Sequence, residues 1–413
     1  MSRNSSPYAG GPLARYLLLG TTVFLLFGGL VMVYSAAFVS DFVTFDDSTH
    51  HLKRQAIWVA IGLVLLVIVS RLDYRKLRGL SWWVYGASIL GLLGVLAFGV
   101  EKWGAKRWID LGFSTIQPSE YAKLGCIMVT AYLLTRMEER RIGPREFWGQ
   151  LALASTAVTL LVMLQPDMGT TMSILLAIYV VLLLGGVPVR YITGIALAGG
   201  GAAVLAILVA PYRAARLFAF LDPWADPQGG GYQTIQALLA FGSGGIDGIG
   251  LGMSRQKFFY LPAAHTDFIF AIIGEELGLV GTLAVVAAFI AIAYAGIRIA
   301  LGAQDTYGRL LAGGLTAMIV VQALMNMAAV TNLMPVTGIP MPLVSFGGSS
   351  MTFTMLCIGL ILSVSTYGAR GVRAVGSPRT KESARAGGSE RRRDGRPHLS
   401  GISGGRASAR RRA

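Results

Sequence analysis

Apolar residues recur along this chain in long runs, each near the roughly 20 residues a helix needs to span a bilayer. The runs lie near 16–39, 54–70, 79–100, 120–136, 148–165, 169–187, 190–210, 267–297, 309–331 and 350–368, with charged and Pro/Gly-rich segments between them. The pattern predicts an all-α polytopic membrane protein of ten transmembrane helices, with a large extracytoplasmic loop between spans seven and eight. The first run begins after Arg15 and is too long and wrongly flanked for a cleaved signal peptide. Composition agrees: 54% of the 413 residues are apolar and 14% are charged, and the mean hydropathy is +0.60. That is too apolar for a soluble domain of this length.

Charge adds the orientation. Arg71, Arg75, Lys76 and Arg78 separate spans two and three, and Arg136, Arg140, Arg141 and Arg145 separate spans four and five. With a cytoplasmic amino terminus both loops are cytoplasmic, as the positive-inside bias requires, and an even span count returns the carboxyl end to the same side. The expected organisation is a cytoplasmic tail over 1–14, a membrane domain over 15–369 and a basic, disordered tail over 370–413. That last tail holds thirteen Lys/Arg against three acids, a surplus of ten that supplies most of the formal +15. It reads as a tether to anionic membrane lipid. Nucleic acid is not an expected partner, because no aromatic residues interleave the basic ones. Cys126 and Cys357 fall inside spans and read as packing residues. The histidines His50, His51, His265 and His398 show no metal-ligand spacing.

Candidate chemistry concentrates on the outer side. His265, Thr266 and Asp267 open the run that follows the 211–266 loop, and Glu275 and Glu276 lie inside it. Ionisable groups at membrane depth cost several kcal/mol, so they are usually sheltered and usually functional; Asp267 is the candidate reactive group, and Glu275 and Glu276 read as structural. The outer loop after span three carries Gly104-Ala105-Lys106-Arg107-Trp108-Ile109-Asp110, then Gln117-Pro118-Ser119-Glu120-Tyr121-Ala122-Lys123. Lys106, Arg107 and Trp108 are candidate ligand groups as well as plausible interfacial anchors. Glu120 and Lys123, three apart, read as a structural pair on one helix face. In Gln165-Pro166-Asp167-Met168-Gly169-Thr170, Asp167 reads as a helix cap and Gln165 as a candidate for hydrogen bonding a sugar.

The large loop supplies Arg213, Arg216, Asp222-Pro223-Trp224-Ala225-Asp226-Pro227, Gly231-Tyr232-Gln233, Arg255 and Lys257. Cations beside aromatics on the outer side run against the positive-inside bias and suit a phosphorylated lipid headgroup bearing sugar. Its many aromatic residues predict re-entrant or interfacial helices. Residues 333–350, with their prolines and glycines, predict irregular backbone buried in protein or lining a wet cavity. Ser349 and Ser350 then begin the last span, where exposed amides can bind an anion. No nucleotide-binding phosphate loop is present. Gly401-Ile402-Ser403-Gly404-Gly405 matches a hydrolase elbow only by coincidence, in a basic tail with no strand or helix around it.

In this order and spacing the segments resemble the SEDS family of cell-wall proteins, the FtsW, RodA and SpoVE group, over the whole membrane portion. Pro223-Trp224-Ala225-Asp226-Pro227, Gly231-Tyr232-Gln233 and Phe268 through Gly278 look more like FtsW, whereas Met334 through Pro340 is closer to RodA. Two positions depart from the family pattern: Phe346 where Tyr is usual, and Ala263-Ala264 where many relatives carry an acid. The resemblance implies a peptidoglycan glycosyltransferase that polymerises lipid II at the outer face of the cytoplasmic membrane, acting on undecaprenyl-pyrophosphate-linked glycan. It implies a class B penicillin-binding protein as partner, together with other divisome proteins. The family's essential aspartate carries over to Asp267, and its outer-loop Trp to Trp108 with Arg107 beside it.

Glycan transfer from a pyrophosphate needs one base, because the leaving group departs once its charge is neutralised. Asp267 is the candidate base toward the 4-hydroxyl of the acceptor GlcNAc. Arg213, Arg216, Arg255 and Lys257 are candidates to hold pyrophosphate, with a divalent cation (Mg or Mn) as a candidate helper. Asp267 and Glu275 lie about 12 Å apart along a helix, a poor spacing for a two-carboxylate hydrolase. The alternatives are a lipid II flippase using Glu275 and Glu276, a RodA-like elongation polymerase, and a scaffold that recruits its synthase by helix packing.

Overall fold

The computed structural model describes residues 12–102, 105–110, 112, 115–209 and 211–375. Most of both expected tails, 1–11 and 376–413, lies outside the described residues. Ten helices coincide with the ten apolar runs: α1 (Pro12–Phe45), α2 (His50–Arg71), α3 (Tyr74–Phe98), α4 (Pro118–Glu138), α5 (Pro144–Leu164), α6 (Met168–Leu184), α7 (Val189–Val209), α10 (Ile269–Leu301), α11 (Thr306–Val330) and α12 (Gly348–Val375). Between α7 and α10 come α8 (Pro211–Leu221), a 3₁₀ turn at Pro223–Ala225 and α9 (Tyr232–Gly244). Seven of these helices are long and apolar enough to cross a membrane. α4 fails that test because it carries Glu120, Lys123, Arg136 and Glu138, and α6 has only 17 residues.

Burial sorts the helices into a centre and a rim. In α11 and α12 the most apolar stretch is 78% and 83% buried, against 28% in α2, α3 and α5. Nearly every residue of α4 is buried as well. Position in the bundle thus separates helices of similar hydropathy, since α3 and α5 are no more apolar than α11 and α12 yet lie at the rim. Lys123 Nζ donates to Glu120 Oε1 at 2.7 Å and to Gln322 Oε1 at 3.1 Å, and sits 4.6 Å from the Phe353 ring centre. Asp73, Asp167 and Asp305 each cap a helix, accepting from Arg75 N, Thr170 N and Gly308 N.

Two features depart from the sequence pattern. The loop expected over 101–119 folds into a small antiparallel sheet, β1 (Val100–Lys102), β2 (Ala105–Asp110) and β3 (Thr115–Ile116), in the order β1-β2-β3. The helix read as one apolar run from 267 is broken at Gly278, whose φ of 63° is in the left-handed region that glycine tolerates. Ahead of the break, Ile269 through Glu276 are all buried; beyond it, Leu279, Val280 and Leu283 are exposed toward lipid. The loop after α9 closes onto the break, with Ile249 N donating to Glu275 O at 3.0 Å and Gly250 N to Glu276 O at 3.1 Å. In return, Leu279 N donates to Gly245 O at 3.0 Å. A loop thus replaces the helical bonds that the break removes.

Candidate functional site

Asp267 sits in the turn ahead of α10. That turn is set by Ala263, which adopts φ 56° and accepts from Thr266 N at 3.0 Å and Phe268 N at 3.4 Å. A left-handed alanine is strained, so the surroundings must hold it. They do so through backbone bonds: Phe346 N donates to His265 O at 2.9 Å, and Asn326 Nδ2 donates to Asp267 O at 2.7 Å and to Ile339 O at 2.8 Å. Asn326 is 1% exposed, and one amide group therefore clamps the aspartate turn to the irregular 332–347 segment. Gly338, at φ 71°, comes so close to the aspartate that a β-carbon there would lie 3.6 Å from Asp267 Oδ2.

The Asp267 carboxylate accepts no hydrogen bond among the described residues, and Phe268 rather than Asp267 occupies the cap position of α10. Half-buried and stripped of much of its hydration, its pKa rises to about 6, and Asp167 adds to the rise. Arg107 and Arg216 pull the other way. These two cations come from distant parts of the chain, and each is aimed by a backbone carbonyl. Arg107 on β2 donates through Nε to Gln165 O at 3.1 Å and through Nη2 to Pro166 O. Arg216 on α8 reaches Val336 O at 3.5 Å. Asp167 is held by Gln117 Nε2 at 3.1 Å and by Thr170 Oγ1 at 2.9 Å. The site is therefore a carboxylate within electrostatic reach of two arginines, framed by the β-hairpin, the α5–α6 turn, α8 and the Pro/Gly segment.

Several expected ligand residues lie elsewhere. Gln165 is 1% exposed and its Nε2 donates to Leu92 O at 3.0 Å, so it braces the α5–α6 turn instead of facing a sugar. Lys257 is buried, with Nζ donating to Gly252 O and lying 3.6 Å from Glu276 Oε1. It is engaged in internal pairing. Arg255 has its backbone N bonded to Glu275 Oε1 at 3.0 Å and its side chain exposed. Ser349 and Ser350 are buried, Ser349 Oγ accepts from Gln117 N at 2.9 Å, and Gly348 packs on the Trp58 indole. The start of α12 is thus a packed joint, not an open anion site.

His265 lies against His51 and Phe346, with ring centres 4.5 and 5.8 Å away. Burial and the neighbouring His51 depress its pKa to about 4, so it is neutral at physiological pH. Thr266 turns its hydroxyl back to Ala263 O at 3.1 Å. Lys106 is exposed, and Trp108, Tyr232 and Gln233 are half-buried. The Arg213 side chain lies outside the described residues.

Glu275 and Glu276 are fully engaged. Glu275 accepts from Ser254 Oγ, Arg255 N and Gln256 N, and Glu276 from Ser35 Oγ at 2.7 Å and Ser254 N at 3.2 Å. Asn326 escaped the sequence reading. Its one signal was an amide deep in an apolar run, four residues beyond a second one, Gln322. Among the described residues, no group of three or more His, Cys, Asp or Glu side chains is arranged to hold a metal.

A polar site carried between the broken helices of a multi-pass α-helical membrane protein defines the class, and the comparisons narrow it. The model of the family described as "Cell cycle protein", FtsW/RodA/SpoVE, matches residues 16–370. Stage V sporulation protein E of Bacillus subtilis is 41% identical over 85% of this chain and 96% of its own length. A probable peptidoglycan glycosyltransferase FtsW of Geobacter metallireducens is 39% identical over 82% and 91%. Among solved structures, a chain of a peptidoglycan synthase complex that coordinates polymerization and crosslinking has a TM-score of 0.70 at 32% identity, covering 85% of this chain and 97% of that one. The rod shape determining protein RodA of Thermus thermophilus has a TM-score of 0.63 at 30% identity, over 85% and 96%. The chain belongs to the FtsW/RodA/SpoVE family.

Proposed function

We propose that this protein is a peptidoglycan glycosyltransferase that polymerises lipid II at the outer face of the cytoplasmic membrane, in septal wall synthesis, with both termini cytoplasmic. The observation that carries this reading is the Asp267 carboxylate, left without a hydrogen-bond partner among the described residues and within electrostatic reach of Arg107 and Arg216. In the proposed step, Asp267 takes the proton of the acceptor GlcNAc 4-hydroxyl as its oxygen attacks the anomeric carbon of the donor sugar. The bond from that carbon to the pyrophosphate breaks, and undecaprenyl pyrophosphate leaves with its electron pair. A pKa near 6 suits a base that is ionised at neutral pH yet basic enough to accept a proton. Arg107 and Arg216 neutralise the charge that grows on the leaving pyrophosphate. Arg213 and Trp108 remain proposed contacts to the headgroup and its sugar.

A magnesium or manganese ion, if used, would be held largely by the substrate's own phosphates, the usual arrangement for such ions. The names of the FtsW relatives and the synthase-complex neighbour support a class B penicillin-binding protein as partner for crosslinking.

The test is lipid II polymerisation by the purified protein, with and without that partner. Moenomycin silences contaminating classical transglycosylases, and Asp267→Ala and Asp267→Asn serve as controls. Glycan strands that require Asp267 and resist moenomycin support the reading. Normal polymerisation by either variant sinks the assignment of the base.

A further inference from the structure

At the end of the bundle opposite Asp267, the amino-terminal turns of α3, the carboxyl-terminal turns of α4 and the residues just after it border an open cavity of about 360 Å³ lined by Arg75, Arg78, Gly79, Tyr132, Arg136 and Arg141. From Arg75 to the outer end of α3 is roughly 35 Å of helix, so this pocket takes no part in the Asp267 chemistry.

Four guanidinium groups share one cavity, and a single carboxylate answers two of them. Glu139 accepts from Arg78 Nη1 at 2.8 Å and Nη2 at 2.7 Å, and forms an ion pair with Arg141, whose Nε lies 3.0 Å away. Arg75 and Arg136 lie instead over aromatic rings, 5.8 Å from the centre of Tyr74 and 5.7 Å from that of Tyr132. Among the described residues neither has an acid within ion-pair distance, although Asp73 and Asp305 act on Arg75 from farther off. The positive charge of the cavity therefore exceeds the negative charge within it.

Gly79 borders open space at this cavity. A β-carbon built there meets nothing within 4 Å. One turn deeper on the same face of α3, Trp82 and Trp83 are 38% and 79% exposed, beside Leu80 at 48%. Tryptophan at that level marks the membrane interface, which places the arginines at headgroup depth and an apolar helix face beneath them. Basic pockets between helices on the cytoplasmic side bind anionic headgroups, and arginine forks match phosphate oxygens in pairs.

We propose that this pocket is a binding site for the phosphate of an anionic membrane lipid, with the acyl chains lying along the Leu80–Trp83 face of α3. Tyr132 supplies a phenol at the rim, and Glu139 pre-orients Arg78 and Arg141 toward the phosphate.

Full-length protein would be delipidated in detergent, offered phosphatidylglycerol or phosphatidylcholine, and scored for retained lipid by native mass spectrometry. Wild type should retain phosphatidylglycerol in preference to phosphatidylcholine. The Arg75→Gln/Arg136→Gln variant should retain it at least about tenfold less well, since each surface cation contributes appreciably to anionic-lipid attraction. Gly79→Leu should lose it equally: it fills the cavity, leaves every charge in place and adds a better helix former at an open position. Arg190→Gln, which removes an exposed cation elsewhere, should behave as wild type. Equal retention by Gly79→Leu and wild type, or no preference between the lipids, would overturn the site. Displacement of the lipid by millimolar inorganic phosphate would reassign the site to a free anion and overturn the lipid.

Discussion

Asp267 and the Glu275–Glu276 pair stand at the two ends of one short buried stretch of helix, and their surroundings differ in kind. The glutamates are buried and saturated, with backbone amides, serine hydroxyls and Lys257 meeting their oxygens. The aspartate is half-buried, has arginines nearby and has no hydrogen-bond donor on its carboxylate among the described residues. A buried charge with its donors in place is structure: it holds the loop after α9 across the break at Gly278. A carboxylate that has lost water and gained no donor is costly and reactive, which is the state a general base needs. Intramembrane acidity alone does not separate these roles; the donor count does.

The sharpest way to break this comparison is Asp267→Asn. Polymerisation should fall by about 10²–10⁴, the usual worth of a general base, while the fold survives because a desolvated charge has been removed. Lipid II assays and thermal unfolding of the same sample read both halves. Glu276→Ala should do the reverse. It leaves Lys257 buried without its counter-charge and should cost about 3–5 kcal/mol of stability, seen as a large drop in thermal midpoint; any residual folded fraction should keep the acid limb of its pH profile.

Asn326→Leu comes next. Losing the clamp on Asp267 O and Ile339 O should lower kcat by roughly 10²-fold or less, as small misplacements do, with little change in KM. An equal fall in both would mark a merely structural residue. The smallest effect is on pH. Only the ionised Asp267 can accept a proton, so the rate should fall as pH drops through about 6. Because Arg107 holds that pKa down, Arg107→Gln should move the acid limb to higher pH. A limb that stays in place would detach Arg107 from the base.

Much of this was legible in the chain. Ten apolar runs became ten helices, since a segment of that length and composition has one low-energy arrangement in lipid. The motif order carried the family, and Asp267 stood out as an acid at the head of a span. Other residues were misassigned for a common reason. Lys257, Gln165, Ser349 and Ser350 are polar residues near the outer face, and from sequence each reads as a ligand. The partners of the first three, Glu276, Leu92 and Gln117, come from other helices or another turn of the fold, and the Ser350 hydroxyl is buried with no partner among the described residues. Arg107 and Arg216 looked no different from Arg255 or Lys257 until the fold brought the first two to Asp267 and turned the others away.

Hydropathy and motif order thus determined the class, the ten long helices and the family, because these depend on each segment's own free energy of burial in lipid. Which acid is bonded and which is left reactive, which arginines face it, and that an asparagine on α11 clamps its backbone were decided only when α4, α10, α11 and α12 packed together. Hydrogen bonds and desolvation act over a few ångströms, between residues that are often a hundred positions apart in the chain.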